Sequence, residues 1–182
     1  MGRISLKHDA RGYYIRDVYC EKNFNGAPGR IPDDKIINTE HTWPQSRFGG
    51  SGRDMQKSDL HHLFPSDSEL NSNRGNHPFG EVKSNSQTLK CTQSRAGSNV
   101  DGDFVFEPPV EHRGNVARAL FYFAVRYGMS IDATQEATLR KWHVADPVDA
   151  DETDRNDAIE KVQGNRNPFI DQPELVNQIS NF

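Results

Sequence analysis

The chain has 182 residues, only 34% of them apolar, a mean hydropathy of −0.85 and a formal net charge of −4. That length suits one domain with a real core. Aromatic residues at 9% argue against disorder. No apolar run approaches the ~20 residues of a membrane span, and the acidic balance excludes nucleic-acid binding by bulk charge, leaving room only for a local basic surface.

Gly12 to Cys20 is rich in aromatic and β-branched residues and predicts a strand. Glu21 to Asp34, with Gly26, Pro28, Gly29 and Pro32, predicts a loop. Lys35 to Trp43 predicts a second strand, stopped by Pro44. Gln45 to Lys57 contains Gly49, Gly50 and Gly52 and reads as a mobile loop, and Asp59 to Phe64 as a short strand. A helix follows, with Ser66 as N-cap, Glu69 completing a capping box, Asn71 about one turn further in and Gly75 at its end. This is a ββα unit over about residues 35–76.

Pro78 to Pro109 is rich in Gly, Ser and Asn, with strand-like pieces at Gln87–Cys91 and Phe104–Phe106. From Arg113 the pattern turns helical. Val116, Leu120, Phe123 and Tyr127 share one face, and Gly128 follows as the C-terminal cap. Asp132 opens a further helix that must end near Pro147, a third runs from about Glu152 to Gly164, and Pro173 starts a last short one. The expected fold is a single α+β domain over 1–182, with a small antiparallel sheet, long loops and a helical layer over about 112–180.

The chemistry concentrates in Asn38-Thr39-Glu40-His41-Thr42-Trp43-Pro44-Gln45-Ser46 and the residues up to Asn76. Phosphodiester hydrolysis needs a base to activate water, a cation to stabilise charge on the phosphate and leaving oxygen, and donors to hold the phosphate. His41 is the candidate base, since an imidazole near its reference pKa of about 6.5 is partly neutral at pH 7. Glu40 and Asn71 are the candidate ligands, because oxygen donors suit a hard cation such as Mg²⁺, which takes few protein ligands and keeps several waters. Arg47, Arg53, Lys57 and Arg74 supply cations around the motif, while Asp146 to Asp157 is acidic.

Neighbours on a regular strand point to opposite faces, so a site using both Glu40 and His41 requires the strand to bulge or end there, or the site to wrap its edge. His41, His61, His62 and His77 match no familiar zinc spacing, and His61 or His62 reads as a hydrogen-bonded buttress. Cys20 and Cys91 form no CxxC motif; they are either two free thiols or one disulfide. The start, Met1-Gly2-Arg3-Ile4, has no apolar leader segment, which fits either a cytoplasmic chain or a mature chain with a replaced N-terminus.

Three stretches together resemble the bacterial endonuclease I family. They are Asn38 to Ser46, Ser58-Asp59-Leu60-His61-His62-Leu63-Phe64-Pro65, and Asn71-Ser72-Asn73-Arg74-Gly75-Asn76. The likeness continues in Arg113 to Ala119, Lys141-Trp142-His143, Asp146-Pro147-Val148 and Gln163 to Phe169, covering roughly Lys35 to Phe182. The family comprises periplasmic or secreted non-specific nucleases of the ββα-metal (His-Me finger) group.

The resemblance implies that His41 is the general base and that Glu40 and Asn71 bind one Mg²⁺, with Mn²⁺ or Ca²⁺ as substitutes. It also implies an arginine, Arg47 or Arg53, on the phosphate; Arg74, Asn76 and Gln45 are the further candidate substrate contacts. The substrates would be DNA and RNA, cut through backbone contacts to leave 5′-phosphates, by a secreted or periplasmic monomer with no membrane association. Two competing readings are a nucleic-acid-binding module of the same fold without catalysis and a zinc-stabilised structural domain. The single possible disulfide and the acidic balance depart from some members of the family.

Overall fold

The computed structural model describes residues 2–30 and 32–182. Met1, in the start read for a leader, and Ile31, in the loop expected at 21–34, lie outside them. In chain order the elements are α1 (Gly2–Ser5), β1 (Leu6–Asp9), β2 (Gly12–Arg16), β3 (Asn23–Asn25) and β4 (Ile37–His41). Next come α2 (Arg53–Ser58), β5 (Leu63–Asp67), α3 (Ser68–Arg74), β6 (Arg95–Ser98) and β7 (Phe104–Glu107). Four further helices are α4 (Arg113–Tyr127), α5 (Ala133–Ala145), α6 (Ala150–Gln163) and α7 (Pro168–Asp171). The mixture of helices with small sheets is an α+β fold.

The chain divides into two compact units, residues 1–40 with 64–110 and residues 41–63 with 111–182. The single core expected over 35–76 is therefore shared out between them.

The first unit holds the sheets. β1, β2 and β3 form an antiparallel meander, with Leu6 opposite Ile15 and Tyr14 opposite Asn25. β4 pairs with β5, and β6 with β7 in antiparallel register. Asp17 joins two of these layers, because its carboxylate accepts from the amides of Tyr19, Cys20 and Asp67. Cys20 and Cys91 are bonded, with Cα atoms 5.7 Å apart, and close a span of 71 residues. A loop of that size corresponds to about 4 kcal/mol of lost chain entropy in the unfolded state.

α3 follows β5 directly and ends at Gly75, as expected. Its cap is Asp67 rather than Ser66, accepting from the amides of Glu69 and Leu70. Ser66 lies two residues before the first helical residue, Ser68, and its hydroxyl donates to the Asp67 carbonyl instead. Gln87–Cys91 forms no strand. The Gln87 amide bonds Ala96 on β6 instead, and Cys91 is held by its disulfide.

The second unit is the helical one. The expected face of α4 is buried at Val116, Leu120 and Phe123, and Gly128 caps it in the left-handed region at φ 62°. Asp132, Asp149 and Asn167 cap α5, α6 and α7 with their side chains. Close approach requires glycine at Gly114, where an added Cβ would lie 2.0 Å from the Asp146 carbonyl oxygen. Pro173–Gln178 makes a final 3-10 segment.

The stretch expected as a mobile loop, Gln45 to Lys57, is instead a 3-10 turn (Gln45–Arg47) followed by α2. The buried side chain of Gln56 pins that helix by donating to the Gly49 carbonyl at 2.8 Å. The strand expected from Asp59 begins later, because Leu60–His62 is a 3-10 turn capped by Asp59.

Candidate active site

β4 ends at His41, three residues before Pro44. The strand thus ends at the Glu40–His41 pair, one of the arrangements expected from the sequence. The pattern of burial along β4 breaks the two-residue alternation, with Ile37 and Glu40 buried and His41 partly open.

In the first unit, Glu40 is 1% exposed and makes an ion pair with Arg74 at 3.0 Å. Burial pushes its carboxyl above the ordinary carboxylate range, against the opposing pulls of Arg74 and the Tyr19 hydroxyl. Oε1 accepts no hydrogen bond despite the ion-pair contact. Asn71, on α3, donates through Nδ2 to Asn38 Oδ1 (2.8 Å) and to the Thr39 carbonyl (3.1 Å). These two bonds fix the amide beside the residue preceding Glu40. Oδ1 accepts nothing among the described residues and is left as a bare acceptor. A buried carboxylate with spare acceptor capacity and an oriented amide oxygen form a donor set that fits a hard divalent cation.

Arg74 differs from its expected role. It is 2% exposed, paired with Glu40 and stacked over the Phe79 ring at 4.5 Å, so in this conformation its guanidinium serves the carboxylate rather than a phosphate. Asn76 is exposed just beyond the helix.

In the second unit, His41 Nε2 lies 3.1 Å from the Lys57 carbonyl, and Nδ1 lies 3.3 Å from Gln45 Nε2. A carbonyl only accepts, so in the neutral ring Nε2 carries the hydrogen and Nδ1 presents the lone pair. The ring is walled by Phe48 at 6.2 Å and His62 at 5.5 Å. Behind them Trp43, Phe48 and His62 pack on Phe123. Gln45, expected as a substrate contact, instead touches the candidate base.

His61 and His62 are both buttresses. His62 Nε2 donates to the Gln56 carbonyl at 2.6 Å, and His61 Nε2 to that of Asn165 at 3.1 Å. Burial holds them neutral, with pKa values lowered to about 3 and about 4. Among the described residues, no three His, Cys, Asp or Glu side chains come together as a metal site.

Asp59 secures the segment that carries Lys57. It accepts from Tyr122 (2.9 Å), Tyr127 (2.7 Å), Gln163 (2.8 Å) and the His61 amide (3.1 Å). Burial raises its carboxyl, but the bonds from Gln163, Tyr127, His61 and Tyr122 outweigh burial and hold it below the usual range. Arg155 donates to the carbonyls of Leu60 and Leu63 from α6. Arg47 and Arg53 are both exposed. Arg53 donates to the Phe48 carbonyl at 2.9 Å, whereas the Arg47 guanidinium has no partner among the described residues.

Sequence reasoning missed Asn38, the Lys57 carbonyl and Asp59 as supports. The first lies in the quoted motif, but backbone carbonyls leave no mark in a sequence.

A family model described as Endonuclease I matches residues 8–174. The chain belongs to the endonuclease I family. The match starts well before Lys35, where the visible likeness began, and takes in β2, β3 and the end of β1. The chain is 37% identical to an extracellular ribonuclease of Bacillus subtilis (strain 168), over 87% of this chain and 57% of that protein. It is 32% identical to a periplasmic deoxyribonuclease of Aeromonas hydrophila, over 75% of this chain and 63% of that protein. It is 30% identical to Endonuclease-1 of Buchnera aphidicola subsp. Acyrthosiphon pisum (strain APS), over 87% and 64%. The chain thus spans 57% to 64% of the length of these endonuclease I relatives.

Proposed function

We propose that this chain is a divalent-metal-dependent, non-specific endonuclease of the ββα-metal (His-Me finger) type, hydrolysing phosphodiester bonds of DNA and RNA to 5′-phosphate and 3′-hydroxyl ends. The observation that carries this reading is the fixed tautomer of His41, with Nε2 tied to the Lys57 carbonyl and the Nδ1 lone pair on a ring adjoining Glu40 in the chain.

His41 Nδ1 takes a proton from the attacking water. The ring then becomes an imidazolium, whose Nε2–H is already held by the Lys57 carbonyl, so the new charge forms against a ready acceptor. Glu40 and Asn71 would hold one Mg²⁺, or Mn²⁺ or Ca²⁺ in its place. When bound, the ion supplies positive charge to stabilise the scissile phosphate and the leaving oxygen. Arg47 or Arg53 donates to phosphate oxygens, and Arg47 is the more available because its guanidinium has no partner among the described residues. Contacts to backbone phosphates rather than base edges explain how one site serves both nucleic acids. Export is supported by the Cys20–Cys91 disulfide and by the extracellular and periplasmic names of the relatives.

The test is cleavage of supercoiled plasmid and of a long RNA, side by side, with Mg²⁺ and with EDTA. Both substrates should be cut with Mg²⁺ only, and the new 5′ ends should accept kinase label only after phosphatase treatment. Cleavage unaffected by EDTA, or none with Mg²⁺, Mn²⁺ or Ca²⁺, would overturn the reading.

A further inference from the structure

The lone pair that the mechanism needs is not open. Gln45 Nε2 stands 3.3 Å from His41 Nδ1, where the O–H of an attacking water would have to donate. The Lys57 carbonyl decides the orientation of the glutamine amide as well as the tautomer. With Nε2–H pointing at that carbonyl, Nδ1 can only accept, so Gln45 must present its NH₂ and not its oxygen. Water and Gln45 are mutually exclusive at this nitrogen.

The cover is weakly held. Gln45 is exposed, sits on the 3-10 turn Gln45–Arg47, and makes no other side-chain hydrogen bond among the described residues. One neutral hydrogen bond on a long, solvated side chain is easily exchanged for a stronger one. A phosphate oxygen is a better acceptor than an imidazole nitrogen, because the bond is then charge-assisted. Gln45 shares its turn with Arg47, whose guanidinium would meet the same phosphate.

We propose that Gln45 covers the base nitrogen of His41 while no substrate is bound, and uncovers it by transferring its amide N–H to a phosphate oxygen of the incoming nucleic acid. This rests on the nuclease reading above. The base would thus be exposed only when a phosphate is present to be attacked, which couples substrate recognition to activation of the water.

Two measurements on wild type and Gln45→Ala test it. Diethyl pyrocarbonate acylates an imidazole at its available lone pair, and peptide mass spectrometry reports the rate at His41 alone. Without nucleic acid, His41 should react about fivefold faster in Gln45→Ala, the factor corresponding to one neutral hydrogen bond. In plasmid cleavage with Mg²⁺, KM should rise about tenfold through loss of one charge-assisted donor, with a smaller change in kcat. Equal carbethoxylation in the two proteins would overturn the cover. A fall in kcat at unchanged KM would overturn the transfer to phosphate and make Gln45 a water-positioning residue. Faster carbethoxylation in Gln45→Ala, with no cleavage by wild type under any divalent cation, would support the cover and overturn the nuclease reading beneath it.

Discussion

Glu40 and Glu152 are buried carboxylates paired with arginines that are themselves buried, and they are satisfied very differently. Glu152, on α6, takes hydrogen bonds from both Nε and Nη2 of Arg118, while Nη1 of the same guanidinium donates to the Asp146 carbonyl at 2.9 Å. Glu40 meets Arg74 at one contact of 3.0 Å, and its Oε1 accepts no hydrogen bond. Burial pushes both carboxyls up, and each arginine pulls its partner back down. The first pair is a closed fork of the kind that fixes a helix. The second keeps coordinating capacity in reserve inside the protein, which is expensive unless something else binds there.

The sharpest way to break that contrast is to remove each arginine. Arg118→Ala and Arg74→Ala should each cost about 3–5 kcal/mol in urea unfolding, because each leaves a buried carboxylate alone. Mg²⁺ should restore a good part of the loss in Arg74→Ala, by replacing the guanidinium on Glu40, and none of it in Arg118→Ala. Equal rescue, or none in either, would erase the distinction.

A second effect belongs to the helical unit alone. His61, His62 and His112 are buried neutral, with pKa values lowered by burial to about 4, 3 and 3. Below about pH 6.5 the unfolded chain takes up protons that the folded one refuses, so stability falls as pH drops from there through 4 and is flat above. Each histidine contributes a slope of at most about 1.4 kcal/mol per pH unit. Urea midpoints measured from pH 7.5 to 4.5 check the sign; a midpoint that rises on acidification would contradict it.

Conservative carboxylate changes should separate function from framework. Glu40→Gln should lower cleavage per folded molecule about 100-fold, and should also lower the thermal midpoint because buried Arg74 loses its counter-charge. Glu152→Gln should lower the midpoint by several degrees while the folded fraction keeps its rate. The smallest change concerns the amide on α3. Asn38→Ala frees one of the two bonds that orient Asn71, and about tenfold weaker Mg²⁺ binding is expected by calorimetry.

The contrast between the two pairs also explains what could be read from the chain beforehand. The helices of the second unit were legible because their caps and apolar spacing are local: Asp132, Gly128 and Gly164 all mark ends as expected. Glu40, His41, Asn71 and the Gly75 stop were visible as residue types in a dense motif. α2 was not, since six residues carrying three glycines just before them show no periodicity, and the helix is held by Gln56 reaching Gly49. The burial of Arg74 was also hidden. A lone arginine defaults to the surface, and nothing local says that a carboxylate 34 positions earlier will be buried against it. The contact of Gln45 with His41 was hidden for a similar reason. It is fixed by the tautomer of His41, and that tautomer by a backbone carbonyl sixteen positions away.

The most direct measurement is single-turnover cleavage of supercoiled plasmid by His41→Ala in saturating Mg²⁺. With the lone pair removed and Glu40 and Asn71 intact, the rate should fall by about 10²–10⁴-fold, the usual contribution of a general base, while DNA and Mg²⁺ still bind. Cleavage by His41→Ala at the wild-type rate would contradict the assignment of His41 as the base.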